Sequence, residues 1–386
     1  MAKRGNGEGS IYKSGNIWRG AVTLGRDFNG KLKRKVFSGK TKSEVISKMK
    51  EYRANEAFGL VVINDKITLQ EWIYIWIKEY KLNEVRLSTI ERYYSLYNNH
   101  IKDTNIGKIK LKDLKVTNLQ MYYNDILKNK NVSPSTIKYV NKILKSALDQ
   151  AEKERYILSN PCKYVILPKV EERKEVPVFS LEEQTIFLNS LENNRLKLLY
   201  KLALGTGLRM GELLALRWSD IDIKVGLVSV SKTLKRVRKF ETTDSIKSFI
   251  SEGKPKTKTS FRTVPIPSKL LKDIKEHKKF QLEEKLKAGE LYEDNDFMFA
   301  TKLGNSIEPR NLVRNYTKSL EKANIEYRKF HALRHTYATR LFENGVQIKI
   351  IQVLLGHSSM KITSDTYTHV LPDEKNNAVE VLNGCI

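Results

Sequence analysis

From residue 67 onward the chain is punctuated by helix-start signals, and these constrain its fold more than any other feature. Thr68-x-x-Glu71, Ser88-x-x-Glu91 and Ser180-x-x-Glu183 are capping boxes. In each, a hydroxyl can accept the third helical amide while the carboxylate reaches back to the cap amide. Ser133-Pro134 places a cap before a proline, whose missing N–H is harmless in a first turn. Beyond it, Ile137, Val140, Ile143, Leu144, Ala147, Leu148 and Ala151 recur at helical spacing. Most of the chain is therefore expected to be helical. Its 386 residues suggest two or three domains rather than one.

The start of the chain reads differently. Ser10–Lys13, Ile17–Gly25 and Lys31–Phe37 have strand composition, with turns at Ser14-Gly15 and Asn29-Gly30. Thr41-Lys42-Ser43-Glu44 is a capping box opening a helix to about Asn55. A three-stranded sheet backed by one helix follows. One helix covers one face of such a sheet, which leaves the other face free for a groove of nucleic acid. Trp18, Arg19, Arg26, Lys33 and Arg34 are the candidate contacts, against the plain alternative of a solvated basic sheet. Leu167 to Pro177 is charged, proline-bounded and aperiodic, and reads as a linker. The expected organisation is a basic β-sheet domain over 1–60, a helical domain over 65–166, a linker over 167–177 and a second helix-rich domain over 178–386. That last domain has one β-rich interruption, with strands at Val228–Val237 and Arg262–Ile266 and an irregular polar stretch at Lys239–Lys254. The fold class is thus multidomain and mainly α, with a small sheet at the N-terminus and a mixed, mostly α C-terminal domain.

Seventy Lys and Arg against 44 Asp and Glu give a net charge of +26. The excess runs along the whole chain, although residues 1–40 are especially basic, with ten Lys/Arg against two acids. A long polyanion is the natural partner for such a charge. Lys138, Lys142 and Lys145 lie off the apolar stripe of their helix and suit phosphate contact or simple solvation. The two cysteines, Cys162 and Cys385, are far apart and form no disulfide framework, which fits a reducing cytosol. The strongest apolar run, Trp72 to Ile77, is six residues and too short to span a bilayer. These features favour a cytoplasmic protein that neither crosses nor anchors to a membrane.

Within this frame the C-terminal sixty residues carry polar groups that a core does not need: His331-x-x-Arg334-His335, Leu355-Gly356-His357 and Tyr367. Upstream stands Thr206-Gly207-Leu208-Arg209-Met210-Gly211-Glu212. Arginine offers a permanently charged fork for phosphate oxygens, histidine moves protons near neutral pH, and tyrosine can act as a covalent nucleophile. His331 and Arg334, three apart, share a helix face, whereas His335 is read as a packing residue pointing elsewhere. Glu212, one turn after Arg209, suits either orienting that arginine or capping its helix.

In order and spacing, these four boxes resemble the tyrosine recombinases, the site-specific DNA strand-exchange enzymes, across Val178 to about Leu382. The basic start and helical domain resemble the integrases of temperate phages and conjugative transposons. The resemblance implies a helical core-binding domain followed by a catalytic domain. It implies Arg209, His331, Arg334 and His357 around the scissile phosphate, with Tyr367 as nucleophile. Attack by Tyr367 would leave a 3′-phosphotyrosine and a free 5′-hydroxyl. That linkage keeps the energy of the phosphodiester, so no cofactor and no metal is expected. The general acid would be a hairpin lysine, Lys256 by its place in Lys256-Thr257, with Lys258 as the alternative. The implied partners are double-stranded DNA at crossover and arm sites, a tetramer of the chain on that DNA, an excisionase and a DNA-bending protein. The tail at Ala378–Leu382 is apolar enough to pack on a neighbouring protomer or on its own domain.

Overall fold

The computed structural model describes residues 9–26, 30–57, 66–129, 132–170, 177–240, 246–253, 261–360 and 363. The chain divides into two compact units, Met1–Val170 and Glu171–Ile386. Most of the expected linker, at 171–176, falls outside the described residues, as do Lys256, Lys258, Tyr367, Cys385 and the apolar tail.

The first unit opens with an antiparallel sheet of β1 (Ser10–Ser14), β2 (Ile17–Arg26) and β3 (Leu32–Gly39), followed by α1 (Lys42–Ala57). Ser14 pairs with Ile17, so the tight turn is Gly15-Asn16, one residue later than expected. Gly15 adopts φ +58°, a region glycine enters without strain. Thr41 caps α1 by accepting from the Glu44 amide at 3.2 Å, and the Glu44 carboxylate accepts from the Lys40 amide. Val45 and Met49 of the helix bury against Val22, with Ile11, Trp18 and Phe37 packed around them.

Four helices then form the apolar bundle that periodicity predicts: α2 (Leu69–Ile75), α3 (Leu87–His100), α4 (Val116–Asn129) and α5 (Pro134–Lys153). Helix α2 runs on as a π-helical turn over Trp76–Lys81. The Thr68–Glu71 capping box is formed, and Ser133 accepts from the Thr136 amide. The Ser88–Glu91 pair does not cap its helix. The cap of α3 is Arg86, whose extended backbone (ψ 149°) leaves Ser88 inside the first turn. Every position of the α5 stripe is buried, from Ile137 to Ala151. Trp72 donates its indole N–H to the Ala147 carbonyl at 2.8 Å, which locks α2 to α5.

The second unit is built on α6 (Leu181–Ser190), α7 (Lys197–Thr206), α8 (Met210–Ala215), α9 (Ser268–Ala288), α10 (Pro309–Lys322), α11 (His331–Glu343) and α12 (Ile348–Leu355). The Ser180–Glu183 capping box is present. The β-rich interruption is richer than the sequence suggests. Strands β4 (Ile221–Asp222), β5 (Leu227–Val230) and β8 (Arg262–Pro265) form one sheet. Strands β6 (Thr233–Phe240) and β7 (Ile246–Gly253) form a separate hairpin. The expected single strand Val228–Val237 is therefore broken at Ser231-Lys232, and half of the stretch expected to be irregular is β7. Its backbone pairs register by register with β6, from Thr233–Gly253 to Phe240–Ile246. Polar composition hides such a strand, because the ladder partner rather than burial supplies its order.

The core of this unit gathers Phe179, Phe187, Tyr200, Leu213, Val228, Val264, Leu312, Tyr316 and Leu333. Helix α11 packs on α7 and on α12, which brings the ends of three helices together. Among the described residues, no helix is long and apolar enough to cross a membrane.

Candidate active site

The geometry of the site starts with a helix end. Helix α12 stops at Gly356, which takes the left-handed conformation at φ 64°. The Gly356 amide donates to the Val353 carbonyl at 3.0 Å and the His357 amide to Gln352 at 3.1 Å, the paired bonds of a Schellman motif. Three further carbonyls remain, those of Leu354, Leu355 and Gly356. Each accepts from an arginine of a different element. Arg262 Nε donates to Leu354 at 2.7 Å, Arg334 Nη2 to Leu355 at 2.6 Å and Arg209 Nη2 to Gly356 at a long 3.4 Å.

Arg209 is the N-cap residue of α8, set just after the left-handed Gly207 that ends α7. Glu212 fills both roles the sequence allows it. Its Oε2 accepts from the Arg209 amide at 2.9 Å, and its Oε1 from Arg209 Nη1 at 2.8 Å. Glu212 also binds Arg262, whose Nη2 reaches Oε2 at 2.9 Å, and both of these side chains are only 5% exposed. Burial pushes the Glu212 carboxyl up, but hydrogen bonds and charge from Arg262 and Arg209 outweigh it and hold the group below its ordinary range. Glu212 is thus a buried anion shared by two guanidiniums. Arg209 remains about a third exposed and accessible to a ligand.

Arg334 is 2% exposed. Its Nη1 donates to the Gly207 carbonyl at 2.7 Å while Nη2 holds Leu355. These two backbone carbonyls fix the orientation of the guanidinium. The same residues thereby tie the ends of α7 and α12 to the first turn of α11.

His331 is the first residue of α11, and one turn on, its ring meets that of His335 edge to face at 4.7 Å. The expectation that His335 points elsewhere is corrected here. Residues four apart share a helix face as surely as residues three apart. His331 as a whole is exposed, yet its ring is crowded. Desolvation first, then His335, Arg334 and Arg209, push its pKa down to about 4. His335 is pushed down to about 4 by desolvation and Arg334, and His357 to about 3 by desolvation and the charges of Arg334 and Arg209. All three are neutral imidazoles at pH 7. His357 Nδ1 lies 2.9 Å from the buried Thr363 hydroxyl.

The structure therefore gathers Arg209, His331, Arg334 and His357 from three regions of sequence. Lys256 and Tyr367 lie outside the described residues. Of the tyrosines that rival Tyr367, Tyr337 is core, at 8% exposure, and Tyr327 is exposed. Two residues of the constellation escape sequence reasoning, Arg262 and Thr363. Arg262 is the first residue of a strand, and Thr363 carries no motif of its own.

The candidate DNA contacts divide. In the sheet register Tyr12, Arg19 and Ser38 are aligned, as are Thr23 and Arg34, on the face that α1 leaves open. Trp18 has the opposite orientation. It packs into the α1 cluster with the Lys42 ammonium 5.6 Å from its ring, so it is not on the open face. Arg26 and Lys33 are exposed beside the β2–β3 turn, where Arg26 donates to the Gly30 carbonyl at 2.8 Å. Lys138 and Lys142 are exposed on α5. Among the described residues no group of three or more His, Cys, Asp or Glu is placed to hold a metal ion.

A cationic cluster with neutral histidines, set on a mostly helical frame, suits the oxygens of a phosphodiester. Comparison with known proteins identifies the class. Residues 180–374 match the phage integrase family and residues 68–127 match the phage integrase N-terminal SAM-like domain. A XerC-like tyrosine recombinase of Caldanaerobacter subterraneus subsp. tengcongensis is 43% identical over 392 residues, covering 99% of each chain. The ICEBs1 integrase of Bacillus subtilis is 30% identical over 254 residues, 64% of this chain and 65% of that protein. In fold, the Tn1549 transposon integrase in complex with transposon right end DNA aligns over 82% of this chain and all of that one, with a TM-score of 0.67 and 22% identity. A lambda integrase dimer bound to a COC′ core site aligns over 95% of this chain and 96% of that one, with a TM-score of 0.57 and 18% identity. The chain belongs to the phage integrase family of tyrosine recombinases. It is a site-specific DNA recombinase of the integrase type.

Proposed function

We propose that this recombinase cleaves and rejoins DNA with Tyr367 as nucleophile, integrating and excising a mobile element. The observation that carries the reading is the convergence of Arg209, Arg334, His331 and His357 around the end of α12, ten residues before Tyr367 reckoned from His357. In the associative transition state the phosphorus is pentacoordinate and negative charge sits on its non-bridging oxygens. Arg209 and Arg334 stabilise that charge, and because both are fixed in advance they favour the transition state over the ground state. His357 donates a hydrogen bond to one of those oxygens. His331, neutral in the free protein, accepts the phenol proton, and an arriving phosphate anion raises its pKa towards that task. The Tyr367 oxygen forms the new P–O bond and the P–O5′ bond breaks. Lys256 supplies the proton that the leaving 5′-oxygen takes up. Rejoining is the reverse, with a 5′-hydroxyl as nucleophile, so no cofactor or metal enters the cycle.

The helical and catalytic units clamp the crossover site, with Lys138 and Lys142 on its backbone. The open face of the N-terminal sheet, with Arg19 and Arg34, and the turn carrying Arg26 and Lys33 bind separate arm sites. Four protomers assemble on two duplexes in the bacterial cytoplasm, joined by an excisionase and a DNA-bending protein. The charge of +26 and the DNA-bound state of the Tn1549 and lambda integrases support the nucleic-acid partner.

The test is a nicked suicide substrate built from the joined ends of the circularised element. The intact protein is expected to form a covalent protein–DNA adduct that Tyr367→Phe abolishes. An adduct that persists in the Phe variant removes Tyr367 from the role.

A further inference from the structure

We propose that Arg262 is a positioning residue for strand cleavage, fixing both the end of α12 and the carboxylate that orients Arg209. This rests on the reading of Arg209 and His357 as phosphate ligands.

Three observations carry it. First, the Schellman motif consumes the carbonyls of Gln352 and Val353, and Leu354 is the next unpaired one. Arg262 Nε takes it at 2.7 Å, so the turn that presents His357 is fastened to β8, ninety-two residues away in sequence. Second, the other edge of the same guanidinium grips Glu212, Nη2 to Oε2 at 2.9 Å and Nη1 to Oε1 at 3.3 Å. One planar fork thus spans two elements, a geometry an ammonium does not reproduce. Third, Glu212 is shared between the guanidiniums of Arg209 and Arg262, so Arg262 draws part of that carboxylate's charge away from Arg209. Without Arg262, Glu212 would pair with Arg209 alone, and the guanidinium meant for phosphate would be neutralised. Among the described residues Arg262 bonds the Leu354 carbonyl and the Glu212 carboxylate. It acts through Arg209 and through the backbone before His357.

The test uses the full-length protein and the suicide substrate above, at saturating protein, with Arg262→Lys. This variant keeps the charge and most of the volume. Three quantities are read: single-turnover rate of adduct formation, affinity for the crossover site and thermal midpoint. The rate is expected to fall about 10- to 100-fold, as for loss of other orienting partners. Affinity is expected to stay within about threefold, because the complex still forms and only the step after binding suffers. Combining Arg262→Lys with Glu212→Gln is expected to slow cleavage no further than the slower single variant, since both act through one unit. A methylphosphonate at the scissile position, which lacks the negative charge, is expected to restore cleavage to Arg209→Ala and only in part to Arg262→Lys, which also acts through the backbone before His357. Wild-type cleavage by Arg262→Lys overturns the proposal. So does a loss that follows a fall in thermal midpoint and affinity together, or one that multiplies with Glu212→Gln. Failure of the underlying reading is seen separately, as wild-type cleavage by Arg209→Ala and His357→Ala.

Discussion

Thr363 and His357 show how a single hydroxyl sets the chemistry of a ring. A contact of 2.9 Å joins the Thr363 hydroxyl and His357 Nδ1; when the hydroxyl is the donor, the neutral imidazole carries its proton on Nε2, a donor suited to a phosphate oxygen. Removing the hydroxyl frees the tautomer and the ring orientation. Thr363→Val is therefore expected to slow single-turnover cleavage about tenfold, while Thr363→Ser keeps most of the rate. Equal rates for the valine variant and the wild type would remove the hydrogen bond from the mechanism. At this scale the motif spacing finds Arg209, His331, Arg334 and His357, because those residues recur in fixed order with their neighbours. It gives nothing for Arg262, whose partners include a backbone carbonyl and a carboxylate ninety-two and fifty residues away. It also misplaces His335, which geometry sets against His331.

Helix ends are where this fold stores its precision. Gly207 closes α7 at φ +62°, and its carbonyl accepts from Arg334. A Cβ there would lie 2.8 Å from Cε1 of the buried Tyr337 ring, on a backbone that L-residues rarely adopt. Strain of about 1–2 kcal/mol in the left-handed region adds to overpacking of about 1–3 kcal/mol. Gly207→Ala is thus expected to destabilise the catalytic unit by about 2–5 kcal/mol and to displace Arg334, seen as a lower denaturation midpoint and slower cleavage. A midpoint equal to wild type would show that the turn relaxes freely. Elements whose order comes from local chemistry were legible: the capped helices α2, α5 and α6, and the strands β1 to β3. Elements whose order comes from a partner were not. β7 exists because β6 supplies its ladder, and the start of α3 is set by Arg86 rather than by the serine two residues on. Trp18 has strand composition, but which sheet face it joins depends on where α1 lies.

For the molecule as a whole, the depressed histidines predict a pH response. An unfolded histidine titrates near 6.5. In the folded DNA-free protein His331 and His335 are held down to about 4 and His357 to about 3, and buried His277 is also lowered, chiefly by desolvation. A group with a lowered folded pKa favours the fold while it stays neutral. Its contribution is complete above pH 6.5 and is lost as the unfolded chain takes up protons below that value. The thermal midpoint is therefore expected to fall as pH drops from 6.5 to 5, before carboxylates such as Glu183 and Glu212 begin to protonate. Replacing His331 and His335 together by Asn should flatten that slope. A slope unchanged in the double variant would place the pH response elsewhere. By itself, the sequence determined the helical character of the chain, its basic start, its partner class and the three boxes whose residues the structure brings together, because caps, periodicity, charge and spacing are local or additive properties. Only the tertiary structure decided that three arginines share the end of one helix, that Glu212 serves two of them and that the histidines are neutral. Those features depend on burial and on contacts between distant residues, and a linear pattern carries neither.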